Sequence, residues 1–178
     1  MSTASSATSA SSVSQTIFKA YDIRGIVGKT LDIGVARQIG QAFGTAARIK
    51  GEQTVVIGRD GRLSGPELAA ALASGLQRAG IDVIDLGVVA TPMVYFATHA
   101  LEAQSGIMVT GSHNPPDYNG FKMVLGGEAI YGDAIQSLYT TIVRADFASG
   151  NGSYRTHDIK EAYLQRIASD VKTSRKMK

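Results

Sequence analysis

The chain has 178 residues, 44% of them hydrophobic and 19% charged, and no cysteine. This is globular composition, long enough for one domain with its own core. The lack of cysteine excludes a disulfide framework, a thiolate zinc site, an iron–sulfur cluster and a cysteine nucleophile. The formal charge of +3 does not point to nucleic acid, because four of the eighteen basic residues, Lys172, Arg175, Lys176 and Lys178, fall in the last seven positions. Without them 14 basic residues face 15 acidic ones, whereas a nucleic-acid partner calls for a basic stripe on a folded face. Twelve aromatics without a tryptophan offer few stacking platforms for single strands. No run approaches the ~18 apolar residues of a membrane span, so neither nucleic acid nor membrane is expected as a partner.

Thirteen of the first sixteen residues are Ser, Thr or Ala, and no Lys or Arg precedes Lys19. That is neither a secretory signal nor a transit peptide, and residues 1–16 are expected to form a disordered polar leader. From residue 17 onward short apolar runs alternate with helical spacing. Residues 31–50 carry Ile33, Ala36, Ile39, Phe43 and Ala47 on one helix face and stop at Gly51. Residues 54–57 are a short β-branched strand. Ser64-Gly65-Pro66-Glu67 then reads as a capping box opening a helix through Leu68, Ala71, Leu72 and Leu76 to a cap at Gly80.

Residues 81–86 alternate as a strand, and Thr91-Pro92 opens a helix from 93 to about 103, in which Met93, Tyr95 and Phe96 serve core packing. Strands are expected at 106–110 and 121–125, separated by the loop 111–120, a connection short enough to allow antiparallel pairing. Helices are expected at 133–147 and 158–171, with a Gly-, Ser- and Asn-rich linker at 148–156. Such alternation predicts an α/β domain with helices on both faces of a mixed, mostly parallel sheet. Ligands of such sheets bind beyond the carboxyl ends of the strands, which singles out loops 58–65, 87–91 and 111–120.

The densest of these is Thr110-Gly111-Ser112-His113-Asn114-Pro115-Pro116-Asp117-Tyr118-Asn119-Gly120-Phe121-Lys122. Gly111 permits a sharp bend beside Ser112, and two prolines stiffen the exit. A stiff loop carrying a hydroxyl, an imidazole and an amide is pre-organised, although a polar loop with side-chain turns at Asn114 and Asp117 has the same composition. A serine-hydrolase reading is poor, because His113 is sequence-adjacent to Ser112 and the G-x-S-x-G elbow is missing. A second option is that Ser112 carries a phosphoryl group. Such a group has about −1.5 to −2 charge and needs cationic neighbours; His113, Lys122, Arg24 and Arg59 are available.

The loop Gly58-Arg59-Asp60-Gly61-Arg62-Leu63-Ser64-Gly65 leaves a strand and enters a helix, a setting for anions. It matches neither a P-loop nor a dinucleotide fingerprint, and its arginines can equally pair with Asp60 or lie in solvent. Ala20-Tyr21-Asp22-Ile23-Arg24-Gly25 offers Tyr21 and Arg24 to a sugar phosphate, or an edge strand with a surface ion pair. His99 and His157 read as structural, with no second ligand placed for a metal.

Together, the segments 18–25, 58–62 and 110–122 resemble the α-D-phosphohexomutase superfamily, most closely its bacterial phosphomannomutase/phosphoglucomutase branch, over residues 17–178. The resemblance implies a three-layer α/β/α first domain at 17–150, followed by a segment, 151–178, leading toward a further domain. It implies a phosphoserine enzyme, an intramolecular phosphotransferase interconverting hexose 1- and 6-phosphates of mannose or glucose through a hexose 1,6-bisphosphate. Carried onto this sequence, Ser112 is the phosphoserine, with His113, Lys122 and Arg24 around the transferring group. Tyr21, Arg24, Asn114 and Lys122 contact substrate, and Arg59, Asp60 and Arg62 support the loop. The resemblance also implies a cytoplasmic enzyme and Mg2+ held in part by the Ser112 phosphate. The family's D-G-D-x-D metal motif is absent, and no D-x-D occurs anywhere in this sequence. The expectation is a truncated chain, inactive alone, whose parent carries the remaining mutase domains. A non-catalytic phosphate or phosphosugar-binding module is the alternative, and the choice of sugar is left open.

Overall fold

The computed structural model describes residues 13–171. Most of the expected leader and the four basic residues near the end therefore lie outside the described residues. The leader's last residues are ordered: Val13 is buried, and a 3-10 turn at Gln15–Ile17 seats Ile17 in the core.

Among the described residues seven strands form one sheet in the order β1-β5-β4-β2-β3-β7, with β6 paired to β5. They are β1 (Ile23–Ile26), β2 (Thr54–Arg59), β3 (Asp82–Val88), β4 (Gly106–Val109), β5 (Tyr118–Leu125), β6 (Glu128–Ala129) and β7 (Tyr154–Thr156). β2, β3, β4 and β7 pair in parallel. β5 is antiparallel to β1, β4 and β6, so it alone runs against the common direction. The helices are α1 (Ile33–Ile49), α2 (Gly65–Arg78), α3 (Thr91–Ala100), α4 (Asp133–Arg144) and α5 (Lys160–Asp170).

Strand alternation sorts the side chains into two cores. Val55, Ile57, Val83, Ile107, Val109, Phe121 and Met123 face α1, α2 and α4. Val56, Ile84, Leu86 and Met108 face α3 and the start of α5, where Phe96 meets Tyr163 edge-on at 5.5 Å. This is the expected three-layer α/β/α arrangement with a mixed, mostly parallel sheet. Met93 is buried, and burial pushes the Tyr95 hydroxyl above its ordinary pKa, which fits the expected packing role of that cluster. α1 and α2 cross closely because Gly40 and Gly75 face each other's helix. A Cβ on Gly75 would strike the Arg37 carbonyl, and one on Gly40 the Leu72 carbonyl.

Three expectations need correction. Ile33 opens α1 but is 51% exposed, since the buried face begins at Val35. Ser64 does not cap α2: its backbone is already helical and its hydroxyl makes no capping bond. The 20–25 segment, as one of its two readings expected, supplies the edge strand β1, with an Arg24–Asp22 ion pair. The expected linker 148–156 is packed and contributes β7 beside β3. Gly150 and Gly152 donate to Arg78 and Gln77 carbonyls at 2.8 and 2.9 Å, and Gly152 lies so close to the Ile81 carbonyl that no side chain fits.

Candidate active site

The connection after β4 must turn back at once into β5, and its backbone groups cannot all pair within the sheet. Two side chains from the loop after β2 satisfy them. The Arg62 guanidinium donates to four carbonyl oxygens: Pro115 at 2.6 Å, Tyr118 at 3.0 Å, Ser112 at 3.0 Å and Asn114 at 2.7 Å. Its Nε lies 3.3 Å from Asp60 Oδ2. A planar group with five fixed donors suits this task, and lysine does not.

Asp60 serves the opposite kind of group. Its Oδ2 accepts from Thr110 Oγ1 at 2.7 Å and from the Gly111 amide at 3.2 Å, and its Oδ1 accepts from the Arg62 amide at 3.1 Å. Asn114 closes the turn through Nδ2 to the Gly111 carbonyl at 3.0 Å. The loop's acceptors thus meet an arginine and its donors meet an aspartate.

Ser112 stands exposed on this scaffold at φ +53°, a left-handed conformation uncommon for a residue with a Cβ. Its amide donates to Thr110 Oγ1 at 2.9 Å. Its Oγ lies 3.4 Å from His113 Nδ1, the far limit of a hydrogen bond. A cavity of about 370 Å³ opens beside it, lined by Asp60, Gly61, Arg62, Ser112, Asn114 and Pro116.

Arg24 on β1 pairs in register with Gly120, and Lys122 on β5 with Met108. Ile23, Phe121 and Met123 enter the core under α1 and α2, so Arg24 and Lys122 share the opposite face of the sheet. Both are half-buried, and the Arg24 Nε is buried without a partner. Tyr21 is 80% exposed in the turn before β1.

Arg59 does not join the clamp. It lines a separate cavity with Asp85, Tyr154 and His157. Sequence reasoning missed Asn119, which is fully buried. Asn119 Nδ2 donates to Ser64 Oγ at 2.9 Å and its Oδ1 accepts the Gly120 amide at 2.9 Å, so the hydroxyl expected to cap α2 ties that helix to β5 instead. An asparagine just before an apolar run was the available signal, because a buried amide must be bonded.

Among the described residues no cluster of three or more His, Cys, Asp or Glu is arranged to hold a metal. The carboxylate lining the cavity beside Ser112, Asp60, accepts from Thr110, Gly111 and Arg62. These donors do not fit a Mg2+ site by themselves. No described helix is long and apolar enough to cross a membrane.

An α/β/α domain with a rigid serine loop beyond its strand ends matches the family model for phosphoglucomutase/phosphomannomutase, alpha/beta/alpha domain I, over residues 15–149. The chain belongs to this family. It is 50% identical over 162 residues to a phosphomannomutase/phosphoglucomutase of Pseudomonas aeruginosa, covering 91% of this chain and 35% of that protein. It is 50% identical over 168 residues to a phosphoglucomutase of Neisseria meningitidis, covering 93% of this chain and 36% of that one. A solved phosphoglucomutase/phosphomannomutase family protein from Burkholderia thailandensis superposes with a TM-score of 0.88 at 58% identity, over 92% of this chain and 37% of its own. The chain spans about a third of the length of these relatives.

Proposed function

We propose that this chain is the phosphoserine-bearing domain of a phosphohexomutase, with Ser112 as the residue that carries the phosphoryl group. The observation that carries this reading is the contrast within one loop. The carbonyls of Ser112, Asn114, Pro115 and Tyr118 are fixed by Arg62, while the Ser112 hydroxyl is left exposed. Phosphoryl transfer needs positioning and charge stabilisation more than covalent help from the protein, and a clamped loop supplies positioning.

In this reading the phosphorylated Ser112 gives its phosphoryl group to a free hydroxyl of a hexose phosphate. The resulting hexose 1,6-bisphosphate turns over and returns its other phosphoryl group to the serine. His113 stands beside Oγ to take or give the hydroxyl proton. Arg24 and Lys122 place positive charge on the face where the phosphates gather, Tyr21 meets the sugar, and Asn114 holds the turn. A divalent metal would find one ligand here, the Ser112 phosphate, and take the others from the part of the relatives that this chain does not span. Glucose and mannose phosphates are the substrate class that the relatives' names support.

The test is complementation. The remaining two-thirds of a relative is supplied as a second polypeptide, with hexose 1,6-bisphosphate, and conversion of hexose 1-phosphate to 6-phosphate is followed. Activity that needs both pieces and is lost with Ser112→Ala supports the proposal. Phosphosugar binding without phosphorylation of Ser112, when both pieces associate, would make the chain a binding module.

A further inference from the structure

A second cavity, of about 600 Å³, opens beyond the carboxyl ends of β2, β3 and β7, the position where open α/β sheets take ligands. Arg59 enters it from β2, Asp85 and Tyr154 from β3 and β7, and His157, Asp158 and Lys160 from the turn into α5. The serine loop uses none of these side chains.

Their hydrogen bonds are unevenly shared. Each Asp85 oxygen has one partner: Oδ1 accepts the Gly87 amide at 2.7 Å and Oδ2 accepts the Tyr154 hydroxyl at 2.6 Å. Asp158 Oδ1 accepts the Lys160 amide at 2.9 Å. Among the described residues, the Arg59 guanidinium and the Lys160 ammonium take part in no ion pair, and neither side chain donates a hydrogen bond within the cavity. Both acids spend acceptor capacity on protein donors, whereas the two bases meet no acceptor among the described residues. An oxyanion would give Arg59 and Lys160 the partner that the cavity's own carboxylates do not.

We propose that this cavity is a second oxyanion site, for inorganic phosphate or the phosphoryl group of a phosphomonoester, with Arg59 as its bidentate anchor and His157 and Lys160 as further donors. Arg59 suits the role because a guanidinium grips a tetrahedral oxyanion with two parallel bonds. Asp85 and Asp158 hold affinity down through their charge, which places binding at millimolar phosphate. The site does not depend on Ser112 accepting a phosphoryl group.

The experiment is a titration of the 15N-labelled chain with inorganic phosphate at constant ionic strength, read amide by amide, with a parallel arm using glucose 6-phosphate. Saturable shifts at Gly87, Val88, His157 and Lys160 are expected, and they persist in Ser112→Ala. Arg59→Ala weakens binding about tenfold, the loss expected for a charge-assisted bond. Lys160→Ala, at an exposed position whose side chain has no partner among the described residues, weakens it by a smaller factor. Similar affinity in both arms assigns the site to the phosphoryl group itself; much tighter glucose 6-phosphate binding adds recognition of the sugar. The proposal is overturned if no saturable shift appears, if chloride produces the same shifts, if shifts are confined to residues 111–114, or if both variants bind like the parent chain.

Discussion

Arg59 and Arg62 stand three residues apart at the end of one strand, and their surroundings differ in kind. Arg62 is used up: four carbonyls and Asp60 surround its guanidinium. Arg59 faces a cavity whose acids already have partners. One loop is closed around its arginine to present a serine, and the other is open around its arginine. The lesson is that a basic residue near a ligand site is structural or available according to the acceptors the backbone leaves beside it.

The comparison can be broken most forcefully at Arg62. Arg62→Ala leaves the loop's carbonyls to water and the Asp60 carboxylate short of a partner, and is expected to cost about 2–3 kcal/mol, measured by urea denaturation. Fast amide exchange at 111–118 should accompany it, and Arg62→Lys should restore only a part, since one ammonium cannot reach four carbonyls. A loss no larger than that of Arg59→Ala would erase the distinction.

Asn119→Ala removes the tie between β5 and the start of α2, and leaves the Ser64 hydroxyl without its donor. The expected loss is about 1–2 kcal/mol, checked by the same denaturation. Ser112 sharpens the comparison from within the clamped loop. At φ +53° a Cβ is strained, so Ser112→Gly should be more stable than Ser112→Ala by about 1 kcal/mol. Equal stabilities would mean that the loop does not hold this conformation in solution.

The smallest expected effect lies on the open side. Burial, the hydrogen bond to Asp85 and that carboxylate's charge push the Tyr154 hydroxyl up to about 12, with Arg59 pulling the other way. A raised value means the folded state holds this proton more tightly. Its contribution to stability is therefore present below the ordinary value of 10.0 and is lost as pH rises toward about 12. Asp85→Asn should lower the titration, followed by ring NMR, while leaving it above 10.0, because burial is the largest cause.

Much of the fold was legible because helix periodicity and β-branched runs are local signals. α1, α2 and the reversal between β4 and β5 all follow from residues close in sequence. β7 was not legible: it has three exposed residues in a Gly- and Ser-rich segment, and only its pairing with β3 makes it a strand. The serine loop was visible through its own residues, and the resemblance they carry supplied the chemistry. The clamp's internal wiring was not, since Arg62 reaches residues some fifty positions away. The same distance hid the Asn119–Ser64 bond, and the Ser64 motif pointed to a helix cap that the longer-range partner displaced.

The central claim is that the clamped loop exists to present Ser112 for phosphorylation. Intact-mass measurement with peptide mapping, on the protein taken from its own cells, tests it most directly. The account predicts the mass of one phosphate located on Ser112. A protein uniformly unmodified at Ser112, or modified at another hydroxyl of the loop, would contradict it.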